Sequence, residues 1–223
     1  MNASLVTLRY AVFSRRADQY WFPAAFLALF LIMLVILRGS VNAFTAAQAY
    51  LAAIIPMLAG ILSAYAVLDD PALELMFATP RPSWRLLLER LAPIFLVSLL
   101  TALGFQGTAA GLQVDLSGLG NFIVTQLIWF CPTAALMGLG SLLAFVLAAP
   151  TGGALAVGGV WIAQVILRGW FLTHPLARHV YLFYSIHVPE DPFLPVNQLS
   201  LVGLGVFCLI AACWLLDRQE RYI

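Results

Sequence analysis

Lysine is absent from this 223-residue chain; all eleven basic residues are arginine. Without lysine there is no P-loop to cradle a nucleotide's phosphates, and no lysine Schiff base or lysine general base. Charge of either sign is scarce: 9% of residues are charged, 63% are hydrophobic, and the mean hydropathy is +0.97. A soluble domain is about one quarter charged, and a chain this poor in polar groups cannot cover its own surface in water. A soluble enzyme and a disordered chain are both excluded. The formal net charge of +1 and the pI near 7.8 give no basic field for nucleic acid. Cysteine is rare as well. Cys131, Cys208 and Cys213 sit in apolar runs with neither C-x-x-C nor zinc-ligand spacing, and so read as small buried hydrophobes.

What the chain does have is long apolar runs. A helix crossing the hydrocarbon core needs about 20 mostly apolar residues. Residues 20–37, 39–68, 91–114 and 192–216 are uncharged, and so is 116–167, which is too long for one span. Pro150-Thr151-Gly152-Gly153 divides that stretch as turn chemistry between two helices. The expected fold is an all-α membrane protein, a single domain over 1–223 with six transmembrane helices. They fall at about 20–38, 44–68, 90–112, 120–148, 153–173 and 196–216. Barrel strands would be about ten residues long and alternate in polarity. The first run is too long for the apolar core of a signal peptide and ends at Arg38 rather than at small residues.

Arginine asymmetry orients the spans. With the amino terminus inside, Arg9, Arg15, Arg16, Arg81, Arg85, Arg90, Arg218 and Arg221 are cytoplasmic, and only Arg38, Arg168 and Arg178 are external. Both termini are therefore expected in the cytoplasm. Leu5, Leu8 and Val12 at helical spacing, with Arg9 and Arg16 on another face, predict an N-terminal interfacial helix on the inner leaflet.

One loop carries a signature. Between the second and third spans, Asp70 before Pro71 is a strong helix start, and Pro80 and Pro82 limit that helix to about two turns. Leu73, Met76 and Phe77 share one face, with Glu74 off it. Ser83 can cap the next helix, where Arg85 and Glu89 stand at i, i+4. A short amphipathic helix held between two spans is shaped to dock into a partner's groove.

Here the sequence resembles the type-2 ATP-binding-cassette (ABC) transporter permease family. That family carries in this loop a pattern close to L-E-x-L-L-x-T-P, then a basic stretch into the third span. This chain has Leu73-Glu74-Leu75-Met76-Phe77-Ala78-Thr79-Pro80, then Arg81, Arg85 and Arg90. Its Asp217-Arg218-Gln219-Glu220-Arg221 tail is similar to the family's cytoplasmic tail. It departs in having Glu89 where many members have glycine, and Pro71-Ala72 where many have glycine and threonine.

The resemblance implies a non-enzymatic transport subunit, the membrane-spanning permease of an ATP-driven exporter in a bacterial or archaeal cytoplasmic membrane. Its loop helix, with Leu73, Glu74, Met76, Phe77, Thr79, Pro80 and Arg81, would couple to a separate ATPase subunit holding ATP and Mg. A second permease copy, or a homologous permease, would complete the pathway. A haem-exporter permease of cytochrome c maturation is the alternative within that class. A secondary carrier or a structural membrane subunit without an ATPase partner is the alternative outside it.

Polar residues inside spans are the pathway candidates, because lipid makes them costly. Gln106, Gln126 and Gln164 stand out, with Arg168 at the outer end of the fifth span. Interhelical hydrogen bonding is the competing reading. Pro56, Pro93 and Pro132 are expected to kink their helices; Gly138, Gly140, Ala154, Gly158, Gly203 and Gly205 allow close helix approach. His174, His179 and His187 lie in the outer loop at spacings that match no metal motif. With no histidine or carboxylate at membrane depth, Ser141 has no base and an intramembrane protease is excluded.

Overall fold

The computed structural model describes residues 18–69 and 82–217. The expected interfacial helix, the loop helix and the tail after Asp217 fall outside those residues, except that 18 and 19 belong to the first described helix. Every regular element among the described residues is helical. In chain order they are α1 (Asp18–Ile36), α2 (Val41–Ala64), α3 (Ser83–Gly111), α4 (Phe122–Leu147), α5 (Pro150–Ile166), α6 (Arg168–Thr173), α7 (Tyr184–His187) and α8 (Leu194–Leu216). Two 3₁₀ turns, Ser117–Leu119 and Ala177–Val180, lie in the connections.

Four helices, α2, α3, α4 and α8, are long and apolar enough to cross a membrane. Their outward faces are apolar too, with Leu100 60% and Phe207 67% exposed, as suits a protein solvated by lipid. Each of the six expected spans has its helix, but α1 and α5 are shorter. The 17 residues of α5 rise only about 25 Å, against a hydrocarbon core of about 30 Å.

Three boundaries differ from expectation, each for a local reason. The third helix starts at Ser83 rather than 90, because Pro82 takes the extended conformation of a cap. Arg85 and Glu89 then pair at 3.0 Å one turn apart; charge bars lipid burial, not helix formation. The fifth helix was expected to reach 173, yet its backbone leaves helical geometry at Leu167 (φ −89°, ψ 22°), and α6 continues separately. The turn between α4 and α5 is made by Ala148, in the left-handed conformation, and extended Ala149. Pro150 starts α5, where its missing N–H costs nothing, and Gly152-Gly153 belong to the helix.

α2 contains a π-helical segment, Tyr50–Ile54. Pro56 has no N–H to donate, and its ring collides with the carbonyl four residues back; widening the turn relieves both. The indole of Trp161 on α5 donates to the carbonyl of Ala53 within this segment at 3.2 Å.

α4 is the central helix, with α2, α5 and α8 packed around it. In lipid there is no hydrophobic drive between helices, so close van der Waals contact must hold them, and small residues permit it. Gly138 meets the backbone of Gly205 on α8; Gly140 meets Gly60 and Ser63 on α2. Gly153 on α5 lies against Ala144 of α4, where a Cβ would come 2.7 Å from the Ala144 nitrogen. Gly158 and Gly203, expected in the same role, face open space. At one end of the bundle the Ser83 hydroxyl donates to the Asp217 carboxylate, tying the start of α3 to the end of α8.

Candidate functional site

Two of the polar residues expected in the pathway meet. Gln106, five residues before the end of α3, and Gln126, in the first turns of α4, bond through their amides. Gln126 Nε2 donates to Gln106 Oε1 at 2.8 Å, and Gln106 Nε2 stands 3.5 Å from Gln126 Oε1. The Trp129 indole also donates to Gln126 Oε1, at 2.8 Å. An amide carries two N–H groups, and these bonds use one on each glutamine. The other N–H of each has no partner among the described residues.

Below this cluster α3 and α4 are splayed, and their backbones hardly approach although they are consecutive in the chain. A crevice of about 380 Å³ opens between them, lined by Phe95, Leu99, Leu103, Leu127 and Phe130, with Phe122, Gln126 and Trp129 alongside, and the surface it presents is apolar. Phe95 and Phe130 meet edge to face, at 5.9 Å between centroids.

Gln164 is engaged elsewhere. Buried on α5, it accepts from the Leu182 N–H at 2.8 Å and donates to the Val180 carbonyl at 3.3 Å. Asn197 at the start of α8, equally buried, donates to the carbonyls of Arg178 and Tyr181 at 2.7 and 3.1 Å. Two side-chain amides thus hold residues 178–182 by the backbone, from the helices on either side. Tyr181, Leu182, Phe183 and Tyr184 are buried in consequence, packed with Cys131, Leu136 and Val157. Tyr181, Phe183 and Tyr184 fill the end of the bundle. Burial pushes the Tyr181 phenol up to about 12, against the pull of the Arg168 charge. Arg168 itself is exposed at the start of α6.

The three histidines are engaged at separate places. His187 Nδ1 lies 3.0 Å from the Phe183 carbonyl and 3.3 Å from the Tyr181 hydroxyl. His179 faces Ser200, and His174 stacks on Trp170. No three His, Cys, Asp or Glu side chains converge on a metal-sized space among the described residues.

Asn197, Trp129 and Trp161 were not foreseen as site residues. Asn197 carried a signal, a lone amide entering an apolar run; the indoles carried none, since tryptophan suits any bundle. Leu73, Glu74, Met76, Phe77, Thr79, Pro80 and Arg81 lie outside the described residues. Comparison with protein-family models, with curated proteins and with solved structures finds no match.

Proposed function

We propose that the chain is the membrane-spanning permease subunit of an ATP-driven ABC exporter, forming the substrate pathway as a dimer or with a homologous permease. It couples to a separate cytoplasmic ATPase subunit, which holds the ATP and Mg. The carrying observation is the run Leu73-Glu74-Leu75-Met76-Phe77-Ala78-Thr79-Pro80, followed by Arg81, Arg85 and Arg90. It lies between two helices long and apolar enough to cross a membrane.

The packing around that loop supports the reading. The loop leaves from the end of α2 and returns at Ser83, which is bonded to Asp217 at the end of α8. Both α2 and α8 lie against α4. A push on the loop, which joins α2 to α3, would reach α8 and α4 through direct contacts, as a coupling element requires. With no lysine for a P-loop, hydrolysis belongs to the partner. Both termini then face the cytoplasm, and Gln106 and Gln126 remain the pathway candidates.

Co-purification tests this reading. A buried interface anchor is worth about 2 kcal/mol, roughly thirtyfold in affinity. Met76→Asp or Glu74→Arg should therefore strip a bound ABC ATPase subunit from the chain and leave its membrane insertion unchanged. A chain that purifies alone, and moves its substrate on an ion gradient without nucleotide, is a secondary carrier instead.

A further inference from the structure

We propose that one water molecule is bound in the core between α2 and α4, accepting from the Thr133 hydroxyl and donating to the Leu51 carbonyl of the π segment. The site belongs to the bundle itself and is independent of any ATPase partner.

Thr133 on α4 is 0% exposed, and its Oγ1 has no hydrogen-bond partner among the described residues. Ser98, Thr125 and Ser141, also buried, each donate to the carbonyl four residues back on their own helix; Thr133 does not. A buried hydroxyl left unpaired is costly, and a bound water removes that cost. The π winding strands an acceptor as well. Ile55 donates its N–H to the Tyr50 carbonyl, five residues back. Within the helix the Leu51 carbonyl would be met by Ile55 or by Pro56. Ile55 is engaged and Pro56 has no N–H, so fully buried Leu51 keeps a carbonyl without a helical donor. Ala53, two residues on, takes its side-chain donor from Trp161.

Helix register brings the two groups together. Leu51, Ala52 and Ile55 share a core with Ile128 and Trp129, while Gly60 lies against Leu136 and Ser63 against Gly140. The helices therefore run parallel, and Thr133 comes to about the level of Ile55 and Pro56. It shares the α2-facing side of α4 with Trp129, Leu136 and Gly140 by helical spacing. Side chains lean toward a helix's N-terminus and carbonyls point toward its C-terminus, so the hydroxyl and the Leu51 carbonyl approach along the axis. A gap beyond direct bonding is what one water spans. The surroundings exclude other occupants. α2, α4 and α5 carry no charged side chain, so an ion would lie unbalanced. Gly60 and Gly140 bring backbone against backbone farther along the same contact, which bars a larger molecule.

Two measurements test the site. A density map of the full chain in lipid nanodiscs, at a resolution that shows ordered waters, should carry a peak within about 3.2 Å of both Thr133 Oγ1 and the Leu51 carbonyl oxygen. A map without that peak, whether the hydroxyl bonds the Trp129 carbonyl or stands bare, overturns the proposal. Thermal melting in detergent supplies an independent sign. Thr133→Val keeps the side chain's shape and deletes its hydroxyl. With a water held there, the midpoint should fall by about 2–4 °C. With a bare hydroxyl, valine removes an unpaired polar group, so an unchanged or raised midpoint overturns the proposal. Pro56→Ala gives the Leu51 carbonyl its missing N–H. In that background the Thr133→Val loss should drop to below about half, and a loss that persists overturns the Leu51 contact. Where a variant fails to insert, the map of the unaltered protein still decides.

Discussion

Gly205 of α8 lies so close to Gly138 of α4 that a methyl group on Gly138 would overlap the Gly205 carbonyl. The two helices can approach only where neither carries a side chain. Gly138→Ala should force them apart, at a cost of about 1–3 kcal/mol, read as a lower melting temperature in detergent. Gly158→Ala on α5 is the matched control, since nothing lies within 4 Å of the added methyl. It should leave stability unchanged or raise it by up to about 1 kcal/mol, the helix preference of alanine over glycine.

That contrast marks how far the sequence could be read. Apolar runs between charges locate helices, because length and hydropathy are local properties. Which glycine meets a neighbour depends on how two helices are rotated against each other, and no single run encodes that. Gly138, Gly140 and Gly205 were legible as contact residues, while Gly158 and Gly203 looked identical yet face open space. The same limit applies to the polar residues. Gln106 and Gln126 stood out as costly in lipid, but their pairing and Gln164's engagement with residues 180 and 182 follow from packing alone.

Removing the Gln164 amide orphans a buried N–H and a carbonyl together. Gln164→Ala should destabilise the protein by about 1–3 kcal/mol and speed amide exchange at Leu182. Asn197→Ala should act on the same segment from α8, exposing residues 178–181 to exchange. If exchange rises throughout the chain instead, the two amides hold the whole fold rather than this connection.

Trp161→Phe keeps the ring and deletes the donor that reaches the Ala53 carbonyl. The expected loss is about 1–3 kcal/mol, with faster exchange confined to residues near the π segment of α2. A change spread evenly along α5 would point to lost ring packing instead.

Asp191 gives the connection before α8 a pH dependence. Its carboxylate accepts from the Phe193 N–H and the Tyr184 hydroxyl, both at 2.8 Å, and these bonds hold its pKa below the ordinary carboxylate value. A depressed folded-state pKa stabilises above the unfolded value of about 3.9, and that stabilisation is lost as pH falls through the folded value. Amide exchange at Phe193 should therefore rise below about pH 4. Asp191→Asn should abolish this pH step.

The π segment of α2 divides the helix's allegiance. A π turn is an α-helix carrying one surplus residue, which rotates everything beyond it by about 100°. Ala43 and Ala47 before it pack into one core with α1, α3 and α4, whereas Ala59 and Leu62 after it pack into another that includes α8. One rod thereby serves two cores. Deleting a single residue between 50 and 54 would restore regular winding and turn one half away from its partners, so in this stretch the residue count matters more than residue identity.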